Sequence, residues 1–134
     1  MALVVPDVGE VIMLESIFKT ASPSAHTLKL YQNDISPAES DTAGTYTEAT
    51  ISGYSSVSLT RATWNAASTD GGGVTTITYP QTTFTFSGSG TIVGYYIINT
   101  TGGVLNLSER IFSTPGQSFI SSDQLKLTLS VALA

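Results

Sequence analysis

Cysteine is absent from this sequence, which excludes a disulfide framework, a thiolate nucleophile and any cysteine-ligated zinc site. Redox chemistry therefore says nothing about compartment. Charge is also scarce. Acids and bases together make up 11% of the 134 residues, against about 25% in an ordinary soluble domain. The five bases, Lys19, Lys29, Arg61, Arg110 and Lys126, are scattered, and ten acids outweigh them to give a net charge of -5. Phosphate recognition draws on clustered Lys and Arg, so the expectation is no nucleic-acid partner. No apolar run reaches the roughly 20 residues that span a bilayer, and no basic stretch precedes an apolar core at the start. No membrane partner is expected.

What the sequence has instead is small hydroxyls: 18 Ser and 20 Thr, which make the polar surface largely neutral. A hydrophobic fraction of 41% argues against disorder. The length suits one β-rich structural domain over residues 1–134, able to bury roughly two-thirds of its unfolded surface without staples. Within it we expect an N-terminal segment and helix over residues 1–20 and a β-sandwich over residues 26–134. No internal repeat is visible.

The first segment alone carries a helical period. Pro6 precedes Asp7, and Glu10 follows three residues later at capping-box spacing. Val11, Met13, Leu14, Ile17 and Phe18 then fall in one arc, with Glu15, Ser16 and Lys19 opposite. Ser22, Pro23 and Ser24 end the pattern.

Beyond that point the period is two. Leu28 and Leu30 alternate with Lys29 and Tyr31, Val57 and Leu59 with Ser56, Ser58 and Thr60, and Phe84 and Phe86 with Thr83 and Thr85. The clearest case is the last, with Leu125, Leu127, Leu129, Val131 and Leu133 on one face. Between Leu59 and Trp64 the apolar phase slips by one residue, which predicts a bulge near Arg61. The segment Ile92–Ile98 is apolar on both faces, so it is either a central strand between two layers or a strand that meets another chain. Asn99–Gly103 supplies a Gly-containing hairpin loop into Val104–Phe112. Asp70–Gly73 reads as a flexible turn. Asp34–Gly53, poor in large apolar side chains and interrupted by Pro37 and Gly44, reads as an extended surface excursion of the kind that binds partners. The fold class is mainly β: a β-sandwich or jelly roll of about seven or eight strands with a short N-terminal helix.

Catalytic chemistry finds little support. The one histidine, His26, lies near Ser24 and Thr27, but neighbours in sequence are not a triad, and an ordinarily solvated histidine at a loop edge is the expectation. No two carboxylates are singled out for glycoside chemistry. Asp34, Glu39, Asp41 and Glu48 match no calcium-loop spacing and read as a solvated acidic loop. Asn99-Thr-Thr and Asn106-Leu-Ser fit the glycosylation pattern without a secretory signal ahead of them. Tyr95 and Tyr96 are adjacent on a strand and so point to opposite faces, which makes core packing their default role. We expect no catalytic residue, no metal and no cofactor, and not an enzyme.

Several segments together carry a resemblance. VVPDVGE from Val4, LKLYQNDISPAESD from Leu28, TYTEA from Thr45, GY at Gly53, the lone Trp64, TFTFSG from Thr83, VGYYI from Val93, LNLSERIF from Leu105 and LKLTLS from Leu125 resemble small virion structural proteins of tailed bacteriophages. Within that group the chain most resembles capsid cement, or decoration, proteins. The resemblance implies a homo-oligomer, dimer or trimer, that binds the major capsid protein on the outer surface of the head in many copies. Candidate contacts are Leu3, Val4 and Val5 of the N-terminal segment, Asp34, Ile35, Glu39, Asp41 and Tyr46 of the excursion, and Tyr95 or Tyr96. The alternative is a tail- or fibre-associated module that binds a host-surface glycan or another tail protein.

Overall fold

A computed structural model describes residues 11, 14–20, 25–100 and 102–133. The expected cap at Asp7 and Glu10, the helix stop at Ser22–Ser24, Met13 and the contact candidates Leu3, Val4 and Val5 lie outside the described residues. Nine strands are present among the rest: β1 (His26–Tyr31), β2 (Val57–Leu59), β3 (Ser68–Thr69), β4 (Thr75–Thr85), β5 (Gly90–Ile92), β6 (Gly94–Asn99), β7 (Leu105–Arg110), β8 (Gln117–Phe119) and β9 (Gln124–Leu133). They form antiparallel sheets ordered β2-β1-β6-β7, β3-β4-β9 and β5-β8. The fold is mainly β, as expected, and consistent with a β-sandwich-like arrangement. The strand count exceeds the expectation because β3 is only two residues long and because Ile92–Ile98 divides at Val93 into β5 and β6.

By its contacts the chain divides into two compact units, one of residues 24–59 and 83–126, the other of residues 1–23, 60–82 and 127–134. In the first unit, β6 is an inner strand of its sheet, between β1 and β7. Tyr95 lies across from Leu30 of β1 and Glu109 of β7, and Tyr96 across from Lys29 and Ser108. Val93 is where the chain changes sheets. Its N–H donates to the Tyr31 carbonyl at 2.9 Å, while its own carbonyl accepts from Ile111 and Phe112, so the break leaves no backbone group unpaired. The hairpin from β6 into β7 forms where expected. Gly102 and Gly103 take φ of 90° and 66°, a region glycine enters without steric cost, and Asn99 N–H reaches the Val104 carbonyl at 2.8 Å.

The second unit is organised around Trp64, which is 1% exposed and meets the rings of Phe18 at 4.8 Å and Tyr79 at 5.1 Å. The predicted bulge near Arg61 does not occur. β2 ends at Leu59 and a 3₁₀ turn, Arg61–Thr63, takes up the phase slip, with Trp64 N–H donating to the Arg61 carbonyl. Val11, Leu14 and Glu15 are helical, as expected, but Ser16–Thr20 is a π-type turn. Such a turn widens the spacing between residues, and the apolar arc divides: Leu14 and Phe18 are buried whereas Ile17 is 50% exposed. The polar side is anchored as well. Glu15 accepts the Ala67 N–H at 3.1 Å, Lys19 donates to the Trp64 carbonyl, and Arg61 donates to the Ile17 carbonyl at 3.0 Å. Asp70–Gly73, expected to be a flexible turn, is closed by the Asp70 carboxylate, which accepts the N–H groups of Gly72 and Val74. Those two bonds hold the carboxyl below its ordinary range.

Candidate functional site

The excursion that follows β1 contains no strand of its own, only one 3₁₀ turn at Ala43–Thr45, yet its path is held at many points. Gln32 N–H donates to the Thr47 carbonyl and Ala49 N–H to the Leu30 carbonyl, so the returning limb runs beside β1 beyond the end of β2. Asn33 ties the two limbs together, donating through Nδ2 to the Thr45 carbonyl and accepting the Thr47 N–H through Oδ1. Tyr54 donates to Glu48 at 3.0 Å and accepts the Leu30 N–H, while Lys29 pairs with the same carboxylate at 2.9 Å.

The centre of the arrangement is aromatic. Tyr46 folds back from the excursion onto the sheet, stacking on Tyr96 at 5.1 Å and meeting Tyr31 edge-on at 4.9 Å. Tyr31, Tyr46, Val93 and Tyr96 form one buried cluster, with Ile35, Ile98 and Leu105 packed against it. Offset and edge-on ring pairs of this kind contribute about 0.5–1.5 kcal/mol each beyond area burial. This cluster overturns one expectation: Tyr31, on the polar side of the β1 alternation, is fully buried because the excursion covers that face. It also explains why Ile92–Ile98 is apolar on both sides. Cover for the Tyr96 face comes from the chain's own excursion.

Arg110, at the end of β7, clamps the start of the excursion. Its guanidinium donates to the Asp34 carboxylate at 2.6 Å, the Ile35 carbonyl at 3.1 Å, the Phe112 carbonyl at 2.8 Å and the Thr114 hydroxyl at 3.0 Å. The planar fork suits such a task because its donors are fixed in direction. Asp41 accepts the Tyr46 hydroxyl at 2.7 Å and the Ala38 N–H at 2.9 Å, and the Tyr46 oxygen in turn accepts from the Ser108 hydroxyl at 2.9 Å.

The tyrosine hydroxyls are perturbed by these surroundings. Burial first, then the charges of Tyr46, Asp41 and Asp34, push Tyr31 up to about 12 against the opposing pull of Arg110. Burial and Glu48 push Tyr96 up to about 12. Tyr46, Tyr54 and Tyr95 are raised too, chiefly by burial and secondarily by their carboxylate neighbours Asp41, Glu48 and Glu109.

The sequence candidates therefore separate by burial. Asp34 and Glu39 are exposed, Ile35 and Asp41 are half-buried, and Tyr46, Tyr95 and Tyr96 are interior. Tyr95 faces the opposite side from Tyr96, across from Leu30, and donates to Glu109 at 2.6 Å. Around the candidates the excursion exposes Ser36, Ala38, Ser40, Thr42 and Gly44. An open cleft of about 350 Å³ runs between Asp41–Gly44 and Gly103–Leu105, with Val104 64% exposed at its rim. Sequence reasoning missed Arg110, Tyr31 and Ser108 as partners of the excursion. The one available signal was a lone arginine at a strand end in a chain with few cations.

His26 departs from its expected solvation: it opens β1 and is 2% exposed. The acids Asp34, Asp41 and Glu48 are engaged with Arg110, Tyr46 and Lys29. Among the described residues no three His, Asp or Glu side chains converge as a metal site, and no helix is long and apolar enough to cross a membrane. Comparison with family models, with curated proteins and with solved structures finds no match for this chain.

Proposed function

We propose that this protein acts by surface contact, as a cement protein that binds the outside of a bacteriophage head and bridges neighbouring major capsid protein subunits. The observation that carries the reading is the clamped excursion. Its backbone is fixed by Arg110, Asn33 and the Tyr46–Tyr96 stack, while the side chains it turns outward are small and mostly uncharged. A surface ordered before binding loses little conformational entropy on docking. On a repetitive shell, small contacts of this kind act together through multivalency, so each interface can be modest. The resemblance to phage virion proteins supports the same reading, and Asp34 and Glu39 are the exposed charges that would meet the shell.

The test is a particle experiment. Virions lacking the protein should release DNA at lower temperature and lower salt than complete ones, and added protein should restore resistance at a copy number comparable with that of the shell subunit. Equal resistance with and without the protein, or only a handful of copies per virion, would count against the reading and favour a tail module.

A further inference from the structure

We propose that the cleft between Asp41–Gly44 and Gly103–Leu105 is a docking site for an extended, basic protein segment in which an apolar side chain lies beside Lys or Arg. This chemistry rests on the cement reading above and deepens it: the segment belongs to the shell subunit.

Both walls of the cleft come from the first unit and are held without a partner. One is the 3₁₀ turn Ala43–Thr45, closed by Thr45 N–H to the Thr42 carbonyl at 3.0 Å and by Thr42 N–H to the Thr45 hydroxyl at 3.1 Å. The other is the end of the β6–β7 hairpin loop, where Gly103 N–H reaches the Asn99 carbonyl at 3.0 Å and the Val104 carbonyl accepts from Asn99 at 2.8 Å. The space between them is about 350 Å³, at the small end of the roughly 300–1,000 Å³ typical of ligand pockets, which suits a side chain or two. Val104 is apolar yet 64% exposed at the rim, while Leu105 beside it is half-buried against the tyrosine cluster. An apolar side chain seated here would take the Val104 surface out of water. Ser40, Thr42 and Gly44 are exposed and small, which leaves room for an extended backbone to cross the rim.

Charge decides which segment fits. Asp41 lines the cleft, and Glu39 sits at the tip of the turn that Asp41 closes through its bonds with Ala38. Asp41 spends one oxygen, Oδ2, on Tyr46 and Ala38, which fixes the carboxylate in place. All five bases of the chain lie among the described residues. Lys29 pairs with Glu48 and Arg110 with Asp34, while Lys19 and Arg61 donate to the carbonyls of Trp64 and Ile17. Lys126 is exposed on β9. Among the described residues no base pairs with Glu39 or Asp41. Two carboxylates without a counter-ion beside an apolar cleft complement a cation next to an apolar side chain, and they repel an acidic segment.

The test uses the full chain and a short capped peptide with one Leu flanked by Lys. In amide NMR spectra the peptide should shift Thr42, Ala43, Gly44, Gly103, Val104 and Leu105. The same peptide with Glu in place of Lys, or Ser in place of Leu, should not. Glu39→Gln with Asp41→Asn keeps an oxygen for Tyr46 and Ala38 but removes both charges, and should weaken peptide binding about five-fold or more. Val104→Ser should weaken it by a similar factor. Raising salt from about 0.05 to about 0.5 M should weaken wild-type binding and leave the double variant nearly unchanged. Absence of shifts with the Lys peptide, or equal binding of the Lys and Glu peptides, would overturn the proposal. So would shell particles holding the double variant as firmly as wild type, an outcome that leaves the cement reading intact. Peptide binding in the cleft by a protein that never attaches to particles would instead sink the cement reading and keep the docking chemistry.

Discussion

The ring of Tyr46 lies stacked on that of Tyr96, with centroids 5.1 Å apart and planes 17° from parallel. One ring comes from the excursion and the other from an inner strand of the sheet, so this contact joins the segment without regular structure to the paired strands of its unit. Four expected outcomes follow from the arrangement around it.

Tyr46→Phe keeps the stack but removes the hydroxyl that donates to Asp41 and accepts from Ser108, and should cost about 1 kcal/mol. Tyr46→Ala removes the stack as well, leaves Tyr31 and Tyr96 without cover, and should cost about 3–5 kcal/mol. Urea unfolding at neutral pH measures both. Equal losses for the two variants would show that the ring contributes nothing beyond its hydroxyl.

Gly94→Ala should be among the most damaging single changes. A Cβ at this position would sit 2.1 Å from the Glu109 carbonyl oxygen and 2.7 Å from the Tyr31 ring, and the first of these is backbone in a paired strand. Neither can yield without opening the sheet. We expect a loss of about 3 kcal/mol or more, read as a fall in Tm.

Replacing Arg110 with Met removes the donors to Asp34, Ile35, Phe112 and Thr114 while keeping an apolar stem. The side chains of Arg110 and Asp34 are 18% and 39% exposed, so the ion pair itself is discounted for screening and the carbonyl bonds dominate. A loss of about 1–3 kcal/mol is expected. It should be accompanied by faster amide exchange at Ile35; unchanged exchange there would rule out the clamp.

Alkaline pH should unfold the protein through its tyrosines. Tyr31 and Tyr96 are raised from 10.0 to about 12, so the folded state keeps protons that the unfolded chain releases. Their contribution is fully present below pH 10 and is lost as pH rises from 10 through about 12. Tyrosinate absorbance should therefore appear together with loss of the β-sheet circular dichroism. Ionisation of Tyr31 and Tyr96 near pH 10 in a still-folded protein would contradict their burial.

Strands whose inner face repeats locally were legible before any coordinates. Leu28 and Leu30, Phe84 and Phe86, and Leu125, Leu127 and Leu129 are all buried as their alternation requires, and the glycines of Asn99–Gly103 sit where the hairpin turns. Elsewhere the signal was present but ambiguous. Apolar residues on both faces of Ile92–Ile98 required cover without saying whose, and a phase slip before Trp64 fitted a bulge as well as the 3₁₀ turn that is there.

The excursion marks the boundary between the two kinds of information. Its composition alone determined that Asp34–Gly53 would be irregular, because too few large apolar side chains recur at any period to build a strand or helix. Tertiary structure alone decided that Tyr46 turns inward onto Tyr31 and Tyr96, that Arg110 reaches Asp34 across 76 residues, and that Tyr31 loses its solvent face. The physical reason is range. Alternation and turn chemistry act between near neighbours, whereas which surface covers which is settled only when distant segments compete to exclude water from the same face.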